Sequence, residues 1–133
     1  MEANEGSALR NRDYRGYKAQ AADGRRAIHD VEQITIGQDG SPIHEAPLPP
    51  PPDKLFVGAK PRKEAGANVF DWGQGASEDM VRSLARAILW SAVHDEAGVL
   101  AGEAKLRAML ESLDGEQFYI EADKIRSLLA TAP

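Results

Sequence analysis

The chain contains no cysteine. Disulfide frameworks, thiolate metal sites and cysteine nucleophiles are therefore excluded. Histidine, the side chain best suited to proton transfer near neutrality, occurs only three times. Aromatic residues are sparse at 6%, with two tryptophans. No apolar run approaches the roughly 18 residues of a membrane-spanning helix, and residues 1–11 lack the pattern of a signal peptide. The expectation is a cytoplasmic protein that does not engage a membrane. No internal repeat is visible, so the sequence gives no sign of a repeat architecture.

What is present fits a folded domain. Hydrophobic residues make up 42% of the chain and charged residues 28%, close to the globular average. A length of 133 residues allows one real core and is too short for two. The net charge of −5 is unevenly distributed: residues 1–63 hold ten basic and nine acidic side chains, residues 64–133 six and twelve. An acidic C-terminal half disfavours nucleic acid there and suits either solvation or a basic protein partner.

Residues 1–12 have no apolar periodicity and read as a flexible arm, leaving 13–133 as a single domain. Tyr14 to Ala19 reads as a strand, with Gly16 marking a bulge or a close backbone approach. Ala21 to Gly24 reads as a turn. A second strand over Val31–Ile36 leads into Gly37-Gln38-Asp39-Gly40 and an extended Pro42-Ile43-His44, which is a hairpin signal. The prolines of 47–52 have fixed φ and no N–H, so they form a stiff spacer or an exposed PxxP ligand, the spacer being favoured. Lys54 to Val57 reads as a short strand and Lys60 to Asn68 as a loop.

The strongest signal lies at Phe70-Asp71-Trp72-Gly73-Gln74-Gly75-Ala76-Ser77. Ser77 is suited to cap a helix whose first turn carries Glu78 and Asp79 against the helix dipole. From there Met80, Val81, Leu84, Ala85, Ile88, Leu89, Ala92 and Val93 recur at helical spacing, with Arg82, Ser83 and Arg86 on the other side and Trp90 at the margin. Glu78 and Arg82 stand in the favourable i,i+4 order. Gly98 and Gly102 predict a break, each costing about 1 kcal/mol inside a helix. A second helix is expected over Glu103–Leu113 and a third over Ala122–Leu129, with the apolar Phe118-Tyr119-Ile120 between them.

Three constellations invite a chemical reading. Gly73 and Gly75 before a helix suggest an anion-binding loop, but the third glycine and the Gly-Lys-Ser/Thr are missing, and Glu78 and Asp79 repel a phosphate. A structural role is favoured, in which Phe70 and Trp72 plug the core, Asp71 and Ser77 flank them, and the glycines allow a tight approach. His94, Asp95 and Glu96 diverge by about 100° per residue on a helix and do not converge on one metal without help from Asp71, Glu103 or His29, so a surface helix end is favoured. No nucleophile elbow is present. No cofactor, metal or catalytic residue is therefore assigned, and the chain is read as non-enzymatic. Arg10, Arg12, Tyr14, Arg15, Tyr17 and Lys18 form a basic-aromatic set that could follow a nucleic acid, diluted by Asp13, Asp23 and Asp30. The acids Glu78, Asp79, Asp95, Glu96 and Glu103 form a candidate protein-binding set.

Tyr14-Arg15-Gly16-Tyr17, Phe70-Asp71-Trp72-Gly73-Gln74-Gly75, and Phe118-Tyr119-Ile120 with Ile125 and Leu128-Leu129 resemble a family of small proteins familiar from bacterial genomes, plasmids and phages. Its members share a Tyr-Arg-Gly start, a Phe-Asp/Glu-Trp-Gly-x-Gly motif and an aromatic-plus-helix ending, without an assigned activity. The resemblance spans Tyr14 to Leu129 and implies a mobile-element setting. The Pro-rich segment and residues 20–34 depart from the pattern.

Together these features predict an α+β fold: a small N-terminal antiparallel sheet packed against a long central helix and two shorter C-terminal helices. The expected function is a protein-binding accessory factor, such as an anti-CRISPR-like inhibitor of a host defence system that occupies a surface. The alternative is a nucleic-acid-associated protein using the N-terminal half.

Overall fold

The computed structural model describes residues 11–20, 27–49, 51–55, 70–73, 76–113 and 117–130, with side-chain surroundings for all of these except 18–20 and 27–30. Within them the strands are β1 (Arg12–Gln20), β2 (Ala27–Ile36), β3 (Pro42–Pro47) and β4 (Gln117–Ile120). The helices are α1 (Glu78–Val93), α2 (Glu96–Glu111) and α3 (Ala122–Ala130). The fold is α+β, with one four-stranded antiparallel sheet in the order β3-β2-β1-β4.

The β2–β3 hairpin forms as its turn chemistry predicts. Gly40 adopts φ +85°, and its N–H donates to the Gly37 carbonyl at 3.0 Å. The Asp39 carboxylate accepts from the Ser41 N–H at 2.9 Å, an Asx contact that tightens the turn. The sheet is not confined to the N-terminal half. Phe118-Tyr119-Ile120 lies in β4 and pairs with β1, Tyr14 opposite Ile120 and Gly16 opposite Phe118. Gly16 marks a close approach rather than a bulge: β1 pairs without a break in register, and a Cβ here would lie 2.2 Å from the Phe118 ring.

Two helices of equal length, 16 residues each, replace the expected single long one. The expected break at Ala97–Gly102 is absent, since that stretch belongs to α2. Its glycines are accommodated because neighbours pack where side chains would stand: a Cβ on Gly102 would lie 2.7 Å from Leu129 Cδ2 and 3.2 Å from Leu89 Cδ2. Burial between helices outweighs the intrinsic helix penalty of glycine. The reversal between α1 and α2 takes two residues, His94 in the left-handed region at φ 52° and Asp95 extended. Lys54 and Leu55 belong to a 3₁₀ turn over Asp53–Leu55, not a strand; Phe56 and Val57 lie outside the described residues. The predicted turn at 21–24 and loop at 60–68 also lie outside them.

Helix α1 buries Val81, Leu84, Ala85, Ile88, Leu89 and Ala92 as its periodicity predicts. It also buries Ser83 and Ser91, outside the apolar stripe. The core joins this helix to Tyr14, Val31, Phe118 and Ile120 of the sheet, to Val99, Leu106 and Leu110 of α2, and to Ile125 of α3. Leu48, Leu55, Phe70 and Trp72 complete it, so the chain on either side of residues 56–69 is anchored inside. Among the described residues no helix is long and apolar enough to cross a membrane.

Candidate functional site

The aromatic residues of the central motif pack into the core. Phe70 is 3% exposed and Trp72 fully buried, meeting the Phe118 ring edge-on at 4.8 Å between centroids. The Asp71 carboxylate accepts from the Trp72 N–H at 2.8 Å. Gly73 has φ +86°, its N–H donates to the Leu110 carbonyl at 2.9 Å, and a Cβ there would lie 3.2 Å from the Leu113 carbonyl oxygen. Its amide thus ties the motif to the end of α2 instead of facing an anion. Ser77 precedes α1 in an extended conformation; its carbonyl accepts from Val81, but its hydroxyl makes no capping bond. Gln74 and Gly75 lie outside the described residues.

The acidic set does not form one surface. Glu103 is 9% exposed and accepts from Arg82 Nε at 2.9 Å and Arg86 Nε at 2.7 Å. Burial pushes its carboxyl up, yet the bonds from Arg86 and Arg82 outweigh that and hold it below the ordinary carboxylate value. Arg86 also donates to the Leu55 carbonyl at 2.9 Å. Glu103 is therefore not the exposed protein-binding residue its sequence position suggests: α2 packs on α1 and turns this carboxylate inward. Arg82 pairs with Glu103 instead of Glu78, which faces Arg107 at 3.4 Å. Asp95 caps α2 by accepting from the Gly98 N–H at 2.9 Å, and Glu96 meets Lys54 at 3.0 Å. Asp79 is exposed in the first turn of α1. His94 stacks on Trp90 with centroids 4.3 Å apart. Among the described residues no group of three or more histidine, aspartate or glutamate side chains could hold a metal ion.

The basic-aromatic set is divided between the two faces of the sheet. Tyr14 is fully buried and its hydroxyl donates to Ser91 Oγ at 3.0 Å. A base cannot stack on it, which corrects that assignment. Arg12 donates to the Ser91 carbonyl and Oγ, both at 3.1 Å, and Ser91 Oγ donates to Gln33 Oε1 at 2.7 Å. These contacts fasten the sheet to the last turn of α1. Arg15 and Tyr17 belong to the alternate face. Arg10, and the side chain of Lys18, lie outside the described residues.

That alternate, outer face carries a second constellation. The register places Asp13, Arg15 and Tyr17 on it beside Glu32, Ile34, Glu45, Gln117 and Tyr119. Arg15 Nε donates to Glu32 Oε1 at 3.0 Å, while one Nη reaches across β2 to Glu45 Oε1 at 3.1 Å. The bond to Glu32 raises the Arg15 pKa further. Tyr119 is 52% exposed. Its hydroxyl donates to Asp13 Oδ2 at 2.7 Å, while Asp13 Oδ1 accepts from the Ala122 N–H at 2.8 Å. The Asp13 bond, with burial and the Asp13 charge, pushes the Tyr119 phenol up to about 12. A groove of about 360 Å³ lies between β1 and β4, lined by Arg15, Tyr17, Gln117, Phe118 and Tyr119. Only strand pairing brings these residues together; the alternation of Asp13, Arg15 and Tyr17 was the one signal available in the linear chain.

Comparison with protein families, with curated proteins and with solved structures finds no match to this chain.

Proposed function

We propose that this chain acts by binding another protein, without catalysis, and that the outer face of the sheet makes the contact. The observation that carries the reading is Tyr119, a half-exposed aromatic whose hydroxyl is held by Asp13. A tyrosine with few rotatable bonds and a fixed hydroxyl loses little entropy when a partner covers it, which is why tyrosine is favoured at interfaces. Ile43 on edge strand β3 adds a second exposed apolar side chain. The ionisable groups that suggest chemistry in the linear sequence have structural partners: Glu103 with Arg82 and Arg86, Asp95 with the α2 backbone, Arg12 with Ser91.

The resemblance to small plasmid and phage proteins supplies the setting of the proposal: a mobile-element factor that blocks a host defence assembly by occupying its surface. The nucleic-acid alternative draws less support, because Tyr14 is buried and Arg15 is engaged by two glutamates. A photo-crosslinking amino acid at Gln117, beside the groove, tests the protein-binding reading in host cells. A discrete protein adduct is expected from Gln117 and not from exposed Ala104 on α2. Adducts of equal yield from both positions, or from neither, contradict it.

A further inference from the structure

We infer that the outer face takes a basic segment of its partner, an arginine or lysine side chain laid against Tyr119 with its charge directed to Glu32 and Glu45. This rests on the protein-binding reading above. Among the described side chains of this face the carboxylates Asp13, Glu32 and Glu45 stand against the cation Arg15, and the register places Asp30 on the same face, opposite Tyr17. Arg15 bonds Oε1 of both glutamates. Among the described residues nothing bonds either Oε2, and a carboxylate accepts about four hydrogen bonds in all. An incoming ammonium or guanidinium finds open acceptors beside a field of excess negative charge. An incoming carboxylate or phosphate meets the same glutamates as like charges, and Arg15 has already engaged its Nε and one Nη.

The groove supplies the second half of the recognition. Its volume of about 360 Å³ accommodates a long side chain between Tyr17 and Tyr119. The exposed Tyr119 ring offers an apolar surface for the stem, and the Asp13 bond fixes where that ring stands. The stem of an arginine or lysine is apolar enough to lie along Tyr119 while its head reaches the glutamates. Neutral apolar partners leave the open carboxylate oxygens without donors.

The test titrates the full chain with a short capped arginine-glycine peptide and with its glutamate-glycine counterpart, following backbone amide signals. The basic peptide is expected to move signals of Arg15, Tyr17, Gln117 and Tyr119, and the acidic one to leave them in place. Glu45→Gln should weaken the response about threefold, and raising salt from about 50 to about 500 mM should weaken it further, because the contact is exposed and screened. Leu100→Ala, on the exposed side of α2, should change nothing. An acidic peptide binding as well as the basic one, shifts confined to the helices, or no shift with either peptide overturns the inference. A Gln117 adduct that persists unchanged at high salt and in Glu45→Gln keeps the protein-binding reading and removes the basic partner. No adduct removes both.

Discussion

The two faces of the sheet are built from alternate residues of the same strands, yet they obey different physics. On the inner face Tyr14, Gly16, Val31 and Phe118 meet the helices and are buried, and the hydroxyl of Tyr14 bonds Ser91. On the outer face Arg15, Glu32 and Glu45 bond one another, and Tyr119 stands half in solvent. Burial makes inner residues expensive to change, because removed atoms leave a cavity that close-packed neighbours fill only in part. Outer ion pairs stay solvated, and exposed pairs contribute at most about 1 kcal/mol. The inner face therefore carries most of the described core; on the outer face Ile34 is buried as well, at 2% exposed, and the ion pairs and half-exposed Tyr119 are what the proposed recognition uses.

The largest effect should come from the tryptophan beneath the inner face. Trp72→Ala removes a fully buried ring that packs edge-on against Phe118 and should cost about 3–5 kcal/mol. Tyr119→Ala on the outer face should cost under about 1 kcal/mol while abolishing the proposed contact. Urea denaturation of both variants measures the contrast. Equal losses of stability would dissolve the distinction between the faces.

The same contrast holds for glycines. Gly16→Ala places a methyl group against three atoms of the Phe118 ring, the nearest at 2.2 Å. That ring is buried beside Trp72 and has little room to yield, so a loss of about 2 kcal/mol is expected from overpacking. A Cβ on Gly40 in the exposed turn meets nothing within 4 Å, but its φ of +85° disfavours any side chain. Gly40→Ala should therefore cost about 1 kcal/mol through backbone strain alone. Thermal unfolding of the two variants separates steric from conformational cost; a Gly16→Ala protein as stable as the parent would contradict the close approach.

Residues whose roles depend on periodicity are legible in the chain itself. The α1 stripe from Val81 to Ala92 and the Asp39-Gly40 turn need only local spacing, and both form as expected. Residues whose roles depend on non-local pairing are not legible. Asp13 and Tyr119 lie 106 positions apart and meet only because β4 adds to β1. Glu103 reads as the solvated first acid of a helix once Gly98 and Gly102 are given their intrinsic penalty. In the structure those glycines sit within α2, and the close helix contact at Gly102 brings the neighbouring carboxylate to Arg82 and Arg86. Propensity acts residue by residue, whereas this site is decided by which helix covers which.

That buried ion pair gives a pH-dependent test of the helical layer. The folded Glu103 carboxyl titrates below its ordinary value, so its pairing stabilises the fold above the unfolded pKa of about 4.3 and is lost as pH falls through the lower folded value. Glu103→Gln leaves Arg82 and Arg86 without their anion and should cost about 2 kcal/mol at neutral pH. Its deficit relative to the parent should shrink as pH drops below about 4. Denaturant midpoints measured across that range check the sign, and a deficit that grows toward acid would refute the assignment.

The smallest effect belongs to the outer face and concerns position more than stability. Tyr119 donates to Asp13, which holds its phenol at about 12. Because the folded value lies above the unfolded one of about 10, this contribution is fully present below about pH 10 and disappears as pH rises through the folded pKa. Asp13→Asn removes the charge while keeping an acceptor. The phenol should then titrate closer to about 10, with a change in neutral-pH stability under about 1 kcal/mol. Labelling the three tyrosine rings, with the signals assigned by Tyr14→Phe and Tyr17→Phe variants, lets the Tyr119 titration be followed by nuclear magnetic resonance. An unchanged Tyr119 titration in Asp13→Asn would show that Asp13 does not hold the ring, and the outer face would then lose the fixed aromatic on which its proposed role in recognition depends.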